Sequence, residues 1–114
     1  MAKQGLSAAT IAAQAGGYID AASGGVVPPI QPSTTFARDR NYALYASGNI
    51  YARDDNDVGR VAEGLLARLD NAQAALLFPN GMASIAAVFR ALPTGACVLV
   101  QTQIYWGTTK WLRD

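Results

Sequence analysis

Histidine is absent from this 114-residue chain. Histidine is the commonest general base and the commonest metal ligand, so its absence argues against most transition-metal sites and we predict no bound metal. The only cysteine, Cys97, has no partner for an internal disulfide, and one thiol does not make a metal site. Because Cys97 opens the apolar run Cys97-Val98-Leu99-Val100, we predict a buried strand residue and not a reactive thiol.

Excess charge and long apolar stretches are also missing. The formal net charge is +1 and the basic residues are scattered, so no field attracts nucleic acid or an acidic membrane surface. No stretch has the length of a membrane span, and the first residues lack a signal-peptide pattern. We therefore predict a cytoplasmic protein with neither a nucleic-acid nor a membrane partner. The apolar fraction of 51% is typical of a folded globular chain.

The first half of the sequence shows little periodicity. Residues 6–17 are compatible with a short helix that ends at Gly16-Gly17. Residues 20–40 are rich in Gly, Pro and Ser, and residues 41–56 are polar and irregular. Such a long irregular segment buries little surface alone, which predicts a loop or an extended arm lying on another polypeptide.

The second half carries regular patterns. Apolar residues recur at helical spacing over 58–69, with Asn56 or Asp57 as the N-cap and Asn71 near the end. A strand over 75–78, a helix over 82–92 and a strand over 97–101 follow, and a last helix begins near Gly107. This order predicts an α/β fold with a parallel βαβ unit. Two strands do not complete a sheet, so we expect further α/β elements to follow.

The most informative segment joins the first predicted strand to its helix through Pro79-Asn80-Gly81-Met82. The helix begins without a polar spacer, which leaves the amides of Gly81 and Met82 free at its N-terminus. Free amides and the positive end of the helix dipole bind phosphate or carboxylate. An ordinary turn with Met82 as core filling is the alternative interpretation.

Two further motifs flank this turn. Tyr51-Ala52-Arg53 places a phenol and a guanidinium two residues apart, and Tyr105-Trp106-Gly107-Thr108 follows the second predicted strand. Arginine suits phosphate because its planar fork donates two hydrogen bonds and stays charged. A surface Tyr beside a solvated Arg, and a strand-end aromatic, are the alternatives.

Five segments together, in this order and spacing, resemble the Cys/Met-metabolism pyridoxal-phosphate enzymes. They are the arm segment 26–36, Tyr51-Ala52-Arg53, the helix that carries Glu63, Leu65, Leu66, Ala67 and Leu69, the segment 75–83, and Tyr105-Trp106-Gly107-Thr108. That family includes cystathionine γ-synthase, the cystathionine lyases, homoserine-ester sulfhydrylases and methionine γ-lyase. The resemblance implies a lyase or transferase of transsulfuration and methionine biosynthesis, which makes or breaks C–S bonds by β/γ-elimination or γ-replacement. Its implied cofactor is pyridoxal 5'-phosphate, and its implied substrates are small amino acids such as cystathionine, homoserine esters or methionine.

The resemblance also implies roles for individual residues. The amides of Gly81 and Met82 hold the cofactor phosphate, and Tyr51 and Arg53 reach across to the phosphate of the neighbouring subunit. Tyr105 stacks on the pyridine ring and, as a phenol near that ring, is the implied catalytic residue that assists proton movement.

The implied architecture is a fold-type I large domain, like that of aspartate aminotransferase, which begins in residues 57–114. Residues 1–56 form the preceding arm and the loops that contact a neighbouring subunit in a dimer of dimers. The family's Schiff-base lysine, its pyridine-nitrogen aspartate and its substrate-binding arginine are expected beyond residue 114. Neither Lys3 nor Lys110 stands in that lysine's sequence context, so the chain alone is expected to be inactive.

Three positions depart from the family pattern. Asn56-Asp57-Val58 replaces the usual Asn-Pro-Thr, Asn80 replaces a common Ser before Gly-Met, and Gln14 replaces a common His in the arm. None of these changes removes a predicted cofactor contact. The alternatives are a small α/β module that binds a phosphate ligand, and a non-catalytic truncated pseudo-enzyme.

Overall fold

The computed structural model describes residues 5–45 and 48–114. In that part of the chain it contains four α-helices and one 3-10 turn, Ala15–Gly17. The helices are α1, Ala8–Ala13; α2, Asp57–Leu69; α3, Gly81–Arg90; and α4, Trp106–Arg113. Each lies where the sequence predicts a helix, within one or a few residues at its ends. None of these helices has the length and apolar character needed to cross a membrane.

Helix α2 has clear start and stop signals. Asn56 is the N-cap, as predicted, and its Oδ1 accepts a hydrogen bond from the Gly59 amide at 2.8 Å. At the other end Asn71 adopts a left-handed conformation with φ of 52°, and the Ala72 amide donates to the Ala67 carbonyl at 2.8 Å. This is a Schellman motif, with Asn in place of the usual Gly.

Two compact units divide the chain, Met1–Leu76 and Leu77–Asp114. In the first unit, α1 and the 3-10 turn pack on α2. Gly16, at φ of 66°, accepts a hydrogen bond from the Arg68 guanidinium through its carbonyl, and a Cβ there would lie 2.6 Å from Arg68 Nη1. Glycine at this position therefore serves both the left-handed backbone and the close approach of Arg68. In the second unit, α3 packs on α4.

Little of the described apolar surface is buried. Ala67 is the one buried hydrophobic residue among the described residues, whereas Ile30 is 95% exposed and Leu99 is 96% exposed. Cys97 is also exposed, so the prediction of a buried cysteine is wrong for this structure. Even on helix α2, two of the predicted apolar-face residues are exposed, Val58 at 36% and Leu66 at 39%.

The predicted β-strands differ from the structure. Neither 75–78 nor 97–101 is a strand, and the described residues contain only two isolated antiparallel bridges, Thr35 with Tyr51 and Arg38 with Leu44. The predicted βαβ unit is therefore wrong as a description of this structure. A strand is defined by a ladder of backbone hydrogen bonds to a neighbouring strand, and within residues 5–45 and 48–114 no such ladder forms at either segment.

A turn near the start of the arm is organised by Asp20. Its Oδ1 accepts hydrogen bonds from the Ser23 hydroxyl and amide, both at 2.7 Å, and from the Ala22 amide at 3.2 Å. The Ser23 hydroxyl contributes most to holding the pKa of Asp20 below its usual range. Tyr18, whose hydroxyl donates to Asp20 Oδ2 at 3.3 Å, has a raised pKa, chiefly through burial and then through the Asp20 charge.

Replacing Ser23 with alanine is expected to raise the pKa of Asp20 toward its ordinary value, because the hydroxyl donor is lost. Asp20 has a lowered folded-state pKa, so its stabilising contribution is complete above the unfolded value and is lost as pH falls through the folded value. A ¹³C NMR titration of the Asp20 carboxyl measures the shift. An unchanged titration in the Ser23→Ala protein would show that the hydroxyl does not stabilise the charge.

Candidate functional site

The N-terminus of α3 is partly satisfied by its own cap. Asn80 has extended backbone, with φ of −160° and ψ of 164°, and its Oδ1 accepts from the Ala83 amide at 2.8 Å. The Ser84 amide donates to the Asn80 carbonyl at 3.2 Å. The amides of Gly81 and Met82 donate to no acceptor among the described residues. Two adjacent donors thus remain for an external anion, at the positive end of the helix dipole.

A pocket of about 530 Å³ opens at these two amides. It is lined by Asn80, Gly81, Met82, Ile85 and Tyr105. Its volume falls in the range of small-molecule sites, roughly 300–1,000 Å³. A Cβ added at Gly81 would meet no atom within 4 Å, so this position has room for a side chain. The structure therefore brings Gly81, Met82 and Tyr105, three of the predicted site residues, to one pocket.

The pocket lining includes no aspartate, glutamate, lysine, arginine or histidine. Its attraction for an anion comes from the two amides and the helix dipole, which is equivalent to about half a positive charge. A nearby cation would strengthen this attraction for a doubly charged phosphate.

Contacts between α3 and α4 fix Tyr105 beside the α3 N-terminus. Thr108, in the first turn of α4, is 5% exposed, and its Oγ1 lies 3.7 Å from Met82 Sδ. Further along, the rings of Phe89 and Trp111 are tilted at 47° with their centroids 5.9 Å apart. Tyr105 itself immediately precedes α4 and is 67% exposed. Its ring is thus accessible to a ligand in the pocket.

Tyr51 and Arg53 lie in the other compact unit, on the loop that precedes α2. The guanidinium carbon of Arg53 lies 4.9 Å from the centroid of the Tyr51 ring, a cation–π contact. The Ala52 amide between them donates to the Thr34 carbonyl at 2.9 Å, and Asn56 Nδ2 donates to the Ala52 carbonyl at 2.8 Å. The phenol and the guanidinium are therefore presented together by an anchored loop.

A cluster around Arg60, which the sequence analysis missed, organises the same loop. Arg60 Nη1 lies 2.5 Å from Asp55 Oδ1, and its Nη2 lies 2.7 Å from both Asp57 Oδ1 and Asn49 Oδ1. Asn49 is 5% exposed, so this guanidinium satisfies a buried amide oxygen. The Asp57–Arg60 spacing of three residues on a helix was the one available sequence signal.

Two unpaired amides at a helix N-terminus, with an open tyrosine ring on the same pocket, define a site suited to a phosphorylated aromatic ligand. The sequence profile of the Cys/Met metabolism PLP-dependent enzymes matches residues 9–114. The chain belongs to this family, whose members depend on pyridoxal phosphate. The resemblance predicted from the motifs is thereby confirmed.

Curated relatives carry names from the same family. The chain is 34% identical over 93 residues to cystathionine gamma-lyase of Sus scrofa, covering 82% of this chain and 22% of that protein. It is 34% identical over 103 residues to the Saccharomyces cerevisiae cystathionine gamma-lyase, covering 90% of this chain and 26% of that protein. It is 38% identical over 107 residues to cystathionine gamma-synthase of Mycobacterium bovis, covering 92% of this chain and 27% of that protein.

The chain therefore spans about a quarter of the length of the curated relatives it matches. No solved structure matches it significantly. The individual roles of Tyr51, Arg53, Gly81, Met82 and Tyr105 stay predictions, to which the geometry adds the shared pocket and the anchored Tyr51–Arg53 loop.

Proposed function

We propose that this chain supplies the phosphate-binding part of a pyridoxal-phosphate enzyme of sulfur amino-acid metabolism. The complete enzyme makes or breaks a C–S bond by β/γ-elimination or γ-replacement on cystathionine, a homoserine ester or methionine. The observation that carries the proposal is the pair of unpaired amides, Gly81 and Met82, in a pocket shared with Tyr105. Bound pyridoxal phosphate supplies an electron sink for a carbanion at the substrate Cα.

The residues present fit the cofactor's phosphate. The amides of Gly81 and Met82 donate to its oxygens. The pocket lining offers no cation, so Arg53 of a neighbouring subunit supplies the charge and a bidentate contact. The Tyr51 hydroxyl adds one donor to the same phosphate. The cation–π contact keeps Tyr51 and Arg53 together for this purpose.

Subunit association is part of the proposal. Val27 and Ile30 of the arm are 72% and 95% exposed, as expected of a segment that lies on another subunit. In the proposed architecture, residues 1–56 form the arm and the inter-subunit loops, and residues 57–114 begin a fold-type I large domain. A dimer of dimers follows from the family, with a small amino acid as substrate and the cytoplasm as the compartment.

Turnover tests the proposal. The complete protein that contains this chain is assayed with pyridoxal phosphate against cystathionine, an O-acylhomoserine plus a thiol, and methionine, with release of thiol or keto acid as the readout. We expect cofactor-dependent turnover of at least one substrate. Cofactor binding without turnover would favour the pseudo-enzyme, and binding of inorganic phosphate without preference for the cofactor would favour the phosphate-binding module.

Tyr105 has two proposed contributions, which one substitution separates. Its ring stacks on the cofactor ring, and its hydroxyl holds or transfers a proton beside it. Tyr105→Phe keeps the ring, so we expect unchanged cofactor affinity and a kcat lower by roughly 10²–10⁴-fold, the usual contribution of a general acid or base. Steady-state kinetics and a cofactor titration measure both quantities. Unchanged turnover would remove the proton-transfer role and leave the stacking role.

A further inference from the structure

We infer that Gly107 is a positioning residue for Tyr105: because it lacks a side chain, the Tyr105 ring can lie back over the first turn of α4. This inference rests on the proposed stacking of Tyr105 on the cofactor. Gly107 touches neither the cofactor nor the substrate, and it acts only by setting the orientation of the Tyr105 ring.

The contact between the two residues is close. A Cβ built on Gly107 would lie 2.5 Å from Cε1 of Tyr105, 3.2 Å from its Cζ and 3.3 Å from its Cδ1. Cβ atoms essentially never approach another heavy atom within 3.0 Å, so any side chain at position 107 requires the ring to move. The edge of the Tyr105 ring occupies the space that every other residue type would fill.

Other restraints on the ring are weak. Tyr105 is 67% exposed, and its side chain makes no capping hydrogen bond at the start of α4. The backbone next to it, by contrast, is held in place, because Thr108 is buried and its Oγ1 lies 3.7 Å from Met82 Sδ. With the helix start fixed against α3, a displaced ring changes its rotamer and not the position of its backbone. Its placement relative to the Gly81 and Met82 amides changes accordingly.

Alanine at position 107 should therefore weaken cofactor binding without lowering stability. The displaced ring moves into solvent at little cost, and alanine is the better helix former, so the urea midpoint is expected to stay the same or rise. Loss of the stacked ring is expected to weaken cofactor binding about 2- to 12-fold, the range for one aromatic contact. A residue with a merely structural role would instead lower the urea midpoint.

A double-mutant cycle tests the inference in the complete protein. The dissociation constant for pyridoxal phosphate is measured for the wild type, Gly107→Ala, Tyr105→Ala and the double variant, together with each urea midpoint. We expect each single variant to bind more weakly and the double variant to bind no more weakly than Tyr105→Ala alone. A nuclear Overhauser contact between the Tyr105 ring and the Gly107 α-protons is expected in the wild type without cofactor.

Gly64→Ala is the matched control, because Gly64 is also helical and a Cβ there would meet nothing within 4 Å. It is expected to change the urea midpoint and leave cofactor affinity at the wild-type value.

Wild-type affinity in Gly107→Ala, with weaker binding in Tyr105→Ala, would overturn the inference and leave the proposed function intact. Additive losses in the double variant would also overturn it. Unchanged affinity in Tyr105→Ala would overturn the stacking role itself, and the inference with it.

Discussion

Replacing Gly81 with proline is expected to weaken pyridoxal phosphate binding at least about tenfold, whereas replacing it with alanine leaves binding close to the wild-type value. Gly81 is the first residue of α3, where proline is well tolerated because its missing N–H has no intrahelical acceptor. The preceding residue, Asn80, already has the extended backbone that a following proline requires. Gly81→Pro thus deletes one donor and spares the helix.

The magnitude follows from the charge on the ligand. A hydrogen bond to a charged group contributes about 1.5–3 kcal/mol, equivalent to roughly 10- to 150-fold in affinity. Alanine keeps the amide, and its Cβ meets no atom within 4 Å. Proline replaces the N–H by a ring carbon on the same nitrogen, so Gly81→Pro removes the donor and also fills the space in front of it.

Binding of pyridoxal phosphate and of pyridoxal, which lacks the phosphate, is compared by equilibrium titration, and circular dichroism checks that helix content is retained. We expect Gly81→Pro to reduce the affinity for pyridoxal phosphate and to leave that for pyridoxal nearly unchanged. Equal losses for both ligands would show that the amide does not contact the phosphate. Wild-type affinity for pyridoxal phosphate would contradict the proposed site.

The second large effect concerns Arg53, for which we expect Arg53→Gln to lower cofactor affinity by roughly 10- to 100-fold through loss of a charge-assisted, bidentate contact. Glutamine keeps a polar, hydrogen-bonding side chain, but it is shorter than arginine and carries no charge. Arg40→Gln is the matched control, because Arg40 is an exposed arginine of the same arm. It should leave the affinity unchanged.

Mixed oligomers decide whether Arg53 acts on its own subunit or on a neighbour. Subunits carrying Gly81→Pro are mixed with subunits carrying Arg53→Gln, under conditions that exchange subunits. If Arg53 reaches across, each site combines the Gly81 position of one subunit with the Arg53 position of its neighbour. Each mixed pair then contains one site with both substitutions and one site with neither. Tight binding therefore returns at up to half of the sites in mixed pairs. No recovery, despite verified exchange, would place Arg53 in the site of its own subunit or outside any site.

The helices, and Asn56 as the N-cap of α2, could be predicted from the sequence because their signals are local. Asn80 also caps the helix that follows it, whereas the sequence analysis treats it only as a turn residue. The free amides at Gly81 and Met82 follow from the same local rule, since a helix leaves its first amides without intrahelical acceptors. The prediction of free amides thus depends on the local segment Pro79-Asn80-Gly81-Met82.

Features that depend on distant partners could not be predicted in this way. The apolar run at Cys97 indicated a buried strand, yet Cys97 and Leu99 are exposed, because burial requires a covering element that periodicity alone does not supply. The Arg60 contact with Asn49 joins residues eleven apart through an irregular loop, for which no spacing rule exists. The approach of the Tyr105 ring to Gly107 depends on a rotamer, which the sequence does not encode as a pattern.

The most direct test is an experimental structure of the complete protein with pyridoxal phosphate bound. The proposal predicts phosphate oxygens about 2.7–3.2 Å from the amide nitrogens of Gly81 and Met82. It also predicts the Tyr105 ring stacked on the pyridine ring and Arg53 of a neighbouring subunit at the phosphate. A phosphate bound away from the N-terminus of α3, with both amides facing solvent or another protein group, would contradict the proposed site.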